Sequence, residues 1–537
     1  MRLTLLFLAL AVLISSADAG QTLFHFKDLN LTAYHAPSDT IVWNSADQTT
    51  VYAADNQGNL IDWGVKDSAG RVDTRVLNAA IAATPEFGTT TWGDGTYLMR
   101  TTANCTTGDI DYVNWFWTCL PVTKNITIKG VGTNATILKY APGMYNSTNA
   151  GKALIMFEYC PYTESGDGTG TAYQKFTLED ITFDGDVVNQ TPYYHDGAGL
   201  FLAGSPRTNG TYRNLEFRNS PNHALYLGYN GGGWDSKTVI ENINTHDNWG
   251  SSQIDNTEDT VIDHWVSEND GYGFWTASHQ AIVFDSMYAP SGHLLVDNVH
   301  VRDGCINIFG FVKGRDSLEA RFSNLYVNST TVGKHAVYIQ DCNNVTISDS
   351  TLLAGSANYA ASVDDSSEIQ LNNLKMRGLR GLVVESGARS DVKLDGCDIN
   401  TTGDCFRVYW AGSTATLTGC NLYTSSGSAY LINVQAGATA TMVGCHGSGS
   451  GLVYVSSSAG VLNHAGTSGL GLEAYGATSV TDGGTVSHTM KITPRYVQVT
   501  PSVAGTIATV TAIDGTTFTV DFSGTTTTQT VYWHAFY

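Results

Sequence analysis

Positive charge is scarce in this chain. Across 537 residues, 28 Lys and Arg stand against 49 Asp and Glu, a formal net charge of −21. Such a surface repels phosphate backbones and anionic headgroups, which excludes nucleic acid and anionic membranes as partners. It also disfavours a polyanionic substrate unless a divalent cation bridges the two charges. Charged residues of both signs reach only 14%, and Pro numbers 11 against 56 Gly. No Cys-x-x-Cys pair occurs among the nine cysteines, so a zinc-finger-type metal site is not expected. After the first twenty residues no apolar run is long enough to span a bilayer. Disorder is excluded too, because 42% hydrophobic and 11% aromatic residues in steady alternation can fill a core.

Residues 1–19 read as a secretory signal peptide. Arg2 is its positive head, Leu3 to Ile14 its apolar stretch, and Ala17-Asp18-Ala19 its small-x-small cleavage site. A secreted or cell-surface location is therefore expected, with no membrane insertion after signal cleavage. Ten Asn-x-Ser/Thr sequons between Asn30 and Asn400 fit an exported glycoprotein. Export permits disulfides, and Cys105 with Cys119 is the candidate pair, closing a Trp-rich loop.

One repeat decides the fold. Val392-Lys-Leu-Asp-Gly-Cys-Asp-Ile399 recurs as Ala415-Thr-Leu-Thr-Gly-Cys-Asn-Leu422 and as Ala440-Thr-Met-Val-Gly-Cys-His-Gly447. The same pattern runs upstream to Phe176. Aligned, it leaves one column: Asp180, Asn214, Asn242, His264, Asn298, Asn324, Asp349, Asn373, Gly396, Gly419 and Gly444. These types tolerate a left-handed backbone. Apolar residues flank the column almost throughout. The physical reading is a parallel β-helix, in which short strands with inward apolar residues meet at one left-handed corner per coil. Coils stacking at ~4.8 Å would make a rod on the order of 50 Å long. Cys397, Cys420 and Cys445 share an inward column and read as small buried side chains.

The flanking regions differ in texture. Residues 20–60 form an N-terminal extension. Asp73 to Ala83 predicts an amphipathic helix, N-capped by Asp73, that would cover the open end of the solenoid. The β-helix is expected over 61–462 and a Ser/Gly-rich linker or closing coil over 463–488. A small C-terminal β-sandwich-like domain follows over 489–537, with a hairpin at Asp514-Gly515. That domain could cap the rod, bind sugar or drive assembly, so a homo-oligomer stays open.

The order of these signals resembles the pectate-lyase-like superfamily. Gly64 follows an aromatic residue, the helix comes next, then Gly95-Thr96-Tyr97 and a strand ending in Gly130-Val-Gly132. Over residues 50–460 the resemblance implies an all-β, right-handed parallel β-helix. That scaffold hosts polysaccharide lyases, glycoside hydrolases and phage tailspikes, so the reaction is left open.

Coil length points to a groove. Spacings between corners swing from 22 to 34 residues between Asp180 and Asn324, and extra residues must leave the stack as loops. The same stretch holds Asp184, Asp186, His246, Asp247, Trp265 and many more aromatic or ionisable residues, so the groove is placed at 184–316. Hydrolysis of a glycosidic bond needs two carboxyls, one protonated and one ionised. Asp255 comes first, outward beside an inward Ile254; Asp196 and Asp270 follow, with His279 as a further catalytic candidate. Substrate-binding candidates are Tyr194, His195, Trp234, Trp249, Tyr272, Trp275, Lys313 and Arg315. Lyase or epimerase chemistry would instead need a base and neutralisation of a uronate by Ca²⁺ or Arg. Arg302, Lys313 and Arg315 are the basic cluster taken to face this region. Tyr272-Gly-Phe-Trp-Thr-Ala-Ser-His279 resembles a stretch of mannuronan epimerases, but Trp275 stands where that family has an acid. Polygalacturonase signatures are absent. Three readings follow: a secreted enzyme cleaving a polysaccharide, a non-catalytic carbohydrate-binding protein of tailspike type, and a structural rod. The first leads. Convergent ionisable groups would favour it, and aromatics without them the second.

Overall fold

The structure, a computed structural model, describes residues 39–537. It omits 101–102, 105–116, 123, 145–151, 158–173, 193–198, 204–207, 228–237, 256–258, 274–279, 286–291, 311–317, 331–334, 356–357, 386–389, 456–459, 489, 491, 504–505 and 524–527. The proposed signal peptide and Cys105 lie outside the described residues; Cys119 is buried.

All eleven column residues take positive φ, from 50° at Asp349 to 63° at Asp180. Gly466 extends the series at 62°. In the long early strands the corner sits within the strand. Gln174–Asp184 pairs in parallel with Thr208–Arg218, and the register steps from Glu179↔Arg213 to Ile181↔Leu215 across the bend. Later coils break there into separate strands, as in Asp391–Asp395 and Asp398–Thr401. Among the described residues, the two faces meeting at this corner form one 25-stranded sheet. A third face forms a 14-stranded sheet, parallel from Trp117–Val122 to Leu452–Val455. Chain connectivity, coil upon coil, makes this a parallel β-helix.

Side-chain amides lock the corners together. Asn214 Nδ2 donates to Asp180 Oδ1 at 2.9 Å, and Asn242 Nδ2 to Asn214 Oδ1 at 3.1 Å. Asn373 donates to Asp349 Oδ1 at 2.7 Å. The ladder lapses at Gly396, Gly419 and Gly444, where a Cβ would meet nothing within 4 Å. Gly419→Asn is therefore expected to match or exceed the wild type by about 0.5 kcal/mol, through lower unfolded-state entropy. Gly419→Val should lose about 1–2 kcal/mol, because a β-branched residue resists left-handed backbone. Paired denaturation curves check the contrast.

Inward residues build one continuous core from Val42 to Leu472. Its densest part is aromatic: Phe183 stacks on Phe217 at 4.8 Å, with Phe176, Phe201 and Tyr212 alongside. Cys397, Cys420 and Cys445 are buried, as their column implies. Cys397 Sγ donates to Leu371 O at 3.2 Å, and hydrogen bonding to Cys397 heads the causes that push the Cys420 thiol up to about 12. The same hydrogen bond lowers Cys397, but all three thiols are sealed from solvent.

The helix runs Arg71–Ala83 and buries Val76, Leu77, Ala80 and Ile81 against the first coil. Asp73 is not its N-cap. Gly70 holds that position at φ 70°, and the Arg71 N–H donates to Asp67 Oδ1 at 2.9 Å. Asp73 instead turns inward, where its Oδ2 accepts the Leu98 N–H at 2.7 Å and lies 3.8 Å from Lys66 Nζ. Burial raises its pKa to about 6. Ahead of the helix, Thr40–Asn44, Thr50–Asp55 and Leu60–Val65 form an antiparallel meander, joined to the solenoid at Thr89–Trp92.

At the other end the last solenoid strand is Val461–Ala465. The stretch expected as linker over 463–488 is largely strand. Glu473–Val480 pairs antiparallel with Gln529–Phe536, and Gly484–Ser487 with Thr517–Ser523. Its alternation was masked by Ser, Gly and Thr. Two three-stranded sheets enclose a separate core of Phe518, Val520, Phe522, Val531 and Trp533. No helix among the described residues is long and apolar enough to cross a membrane.

Candidate active site

Of the residues expected to line a groove, Asp196, His279, Tyr194, His195, Trp234, Trp275, Lys313 and Arg315 lie outside the described residues. Asp255 ends the strand Ser252–Asp255, whose Ile254 is buried. Trp249 and Tyr272 are each half-buried. The indole lies so close over Gly273 that a Cβ there would sit 1.8 Å from Trp249 Nε1. Burial, then the charge of Asp247, raises the Tyr272 phenol.

Two expectations are corrected. Trp265 is no platform for a ligand, being fully buried in the core. Asp270 is no surface acid either: its exposure is 0%, and its oxygens accept from Thr245 Oγ1 at 2.5 Å, Ser267 Oγ at 2.6 Å and Asn248 Nδ2 at 2.9 Å. It ties two adjacent coils together from inside. Burial raises its pKa to about 6. The folded state thus holds this proton more tightly than the unfolded chain. Its stabilising contribution is complete below about pH 4 and lost as pH rises through about 6. Asp270→Asn should flatten the fall in stability between pH 4 and 6, read from melting curves across that range.

The ionisable residues on the first sheet are paired with one another. Arg218 Nε contacts Asp184 Oδ2 at 3.0 Å, and His246 Nε2 lies 3.0 Å from Glu216 Oε1. Hydrogen bonding to Glu216 raises His246 to about 9. Glu216, lowered chiefly by His246, also accepts from Thr182 Oγ1 at 2.7 Å. Arg218 therefore joins the basic residues of this region, a residue the sequence reading passed over. A pocket of about 340 Å³ beside this network is lined by Asn134, Asp180, Asn214, Glu216 and Asn244.

The convergent arrangement lies on the outer face of the 14-stranded sheet. Its strands place one residue of each coil in an outward row, with Asp285 in register with Phe309 and Phe309 with Gln340. Gln340 then faces Asp364, and Asp364 faces Glu385. Neighbouring members are ~4.8 Å apart along the axis. Asp364 and Glu385 thus form a carboxyl pair on adjacent coils. Burial, then the charge of Asp364, raises Glu385, while Arg407 and Arg380 pull it down. Tyr338 Oη donates to Asp364 Oδ2 at 3.1 Å.

The next outward row is Asn307, Tyr338, Ser362, Val383, Arg407, Asn433 and Tyr454. Ser362 and Val383 are small and fully buried between larger side chains, which sinks the middle of the face. Ser362 Oγ, Asn307 Oδ1 and Arg407 Nε are buried and make no hydrogen bond. Such groups normally find partners, so three of them in one row are a cost that the packing of this face carries. Aromatic rings line the far edge. His335 stacks between Tyr338 and Tyr359, at 5.8 and 6.3 Å. Arg380 lies over Tyr359 at 5.2 Å, and Arg407 over Tyr430 at 5.5 Å, while Asp404 holds Arg407 at 2.6 Å.

A signal for this row was present. Val337-Tyr-Ile-Gln340, Ala361-Ser-Val-Asp364, Leu382-Val-Val-Glu385 and Phe406-Arg-Val-Tyr409 each place a polar or aromatic residue after the inward pair. Aligning the strand before the corner hid it.

The sequence matches a family model described as a right handed beta helix region over residues 307–474. The fold is accordingly a right-handed parallel β-helix, as the superfamily resemblance implies. No curated protein matches the sequence. Among solved structures, the chain is similar to the A-module of mannuronan C-5 epimerase AlgE6 from Azotobacter vinelandii. The two share 14% identity over 75% of this chain and 97% of that one, with a TM-score of 0.38. It is similar also to the catalytic domain of a GH87 alpha-1,3-glucanase, at 13% identity over 71% of this chain and 64% of that one, TM-score 0.44. A third likeness is to tailspike protein 3 of bacteriophage CBA120, at 13% identity over 75% and 60%, TM-score 0.43.

Proposed function

We propose that this protein is exported and hydrolyses a neutral polysaccharide lying along the outer face of the 14-stranded sheet. The observation that carries this reading is the carboxyl pair Asp364 and Glu385, in register on adjacent coils and half-buried on one face. Glu385, raised by burial and by its neighbour, is suited to protonate a leaving oxygen. Asp364, oriented by Tyr338, serves as the ionised partner. The half-buried Tyr430 and the exposed Tyr454 offer apolar surface to sugar rings, and the net charge of −21 favours an uncharged polymer. The site thus moves from the groove expected at 184–316 toward the coils at 335–454, with Phe309 and Gln340 separating it from Asp285.

The test is incubation with neutral and acidic polysaccharides, with and without Ca²⁺, following both reducing ends and ultraviolet absorbance. Reducing ends from a neutral polymer alone are expected. Unsaturated products from a uronate polymer would replace this reading with a lyase. Binding without cleavage would leave only a lectin-like role.

A further inference from the structure

The C-terminal module carries a second face that its own core does not use. In the central strand Gln529–Phe536, Val531, Trp533 and Ala535 point inward and are buried with Phe518 and Val520. The alternate residues Tyr532, His534 and Phe536 point away from that core. Register brings Tyr496 beside Phe536, Gln498 beside His534 and Thr500 beside Tyr532.

The face has a definite chemistry. Tyr496 is 62% exposed and Tyr532 58% exposed. Tyr496 and Phe536 stack at 5.5 Å with rings inclined by 27°, which makes one broad aromatic surface. His534 adjoins it at 5.2 Å from Phe536. Tyr532 stands between Ala477 and Thr500, small neighbours that leave its ring face clear. Hydroxyls and an amide surround the rings, with Ser479 and Thr530 3.3 Å apart on one side and Gln498 on the other. Glu473 lies at the rim, 3.7 Å from His534.

We propose that this face binds a neutral polysaccharide, at a site separate from the carboxyl pair of the solenoid. Exposed rings meet the apolar faces of pyranoses, and the surrounding hydroxyl and amide groups meet their edges. A second copy of a chain carrying −21 is repelled, whereas an uncharged polymer is not.

The test uses the full chain, as wild type and as the double variant Tyr496→Ala/Tyr532→Ala. Retention on insoluble cellulose, mannan and α-glucan is compared with retention on insoluble cross-linked polygalacturonate. The wild type should be held by at least one neutral polymer and not by polygalacturonate. The double variant should lose that retention at least tenfold while keeping its melting temperature. Its release of reducing ends from soluble fragments should be unchanged. Equal retention of the two proteins, or no retention of the wild type, would refute the proposal. So would an oligomer that the substitutions dissolve. Retention without any reducing-end release would count against the cleavage reading alone.

Discussion

Glu385→Gln is expected to cut reducing-end release by about 10²–10⁴-fold, the usual worth of a positioned proton donor. The amide keeps the shape of the side chain, so binding and melting temperature should hardly change. Asp364→Asn should fall by a similar factor. A third substitution separates proton donation from packing. Arg407 pulls the Glu385 proton affinity down, so Arg407→Gln should move the alkaline limb of the kcat/KM profile to higher pH. An unmoved limb, or full activity in Glu385→Gln, would mean that Glu385 is not the acid.

Trp265→Ala should be the most damaging core substitution, costing about 3–5 kcal/mol. The indole is fully buried, and its Nε1 donates to Thr245 Oγ1 at 3.2 Å. That hydroxyl donates in turn to Asp270, so truncation would open a void and loosen the carboxylate's support. Because each coil touches chiefly its neighbours, the loss should be local. Hydrogen exchange ought to show weaker protection in Thr238–His246, Asp259–Glu268 and Gly292–Arg302. Tyr430–Val434 should keep its wild-type protection. Uniform loss over the whole chain would contradict this segmental picture.

The fold was legible because its requirement is local and repeated. A corner needs a residue that accepts positive φ, and this type recurred from Asp180 to Gly444 whatever the coil length. The site was harder to read. Whether a carboxylate faces solvent depends on strand parity and on neighbouring coils, not on composition. Asp270, in the polar run Glu268-Asn-Asp270, reads as a surface acid yet is sealed inside. Asp364 and Glu385 sit among apolar residues 21 positions apart, a separation that becomes adjacency only once coils are stacked. Asp73 failed for a related reason: its carboxylate had a better partner in Leu98, remote in sequence, than in its own helix.

The near-constant winding after Asn373 also makes this end of the rod a gauge. Corners at Gly396, Gly419 and Gly444 have clear space around them, and their strands share one register. Duplicating the winding that follows Gly444 would move the C-terminal module by ~4.8 Å relative to Glu385, leaving Glu385 and its Arg407 neighbour in place. The reach between the aromatic platform and the carboxyl pair could therefore be tuned by gene duplication, in discrete steps and without redesigning either end.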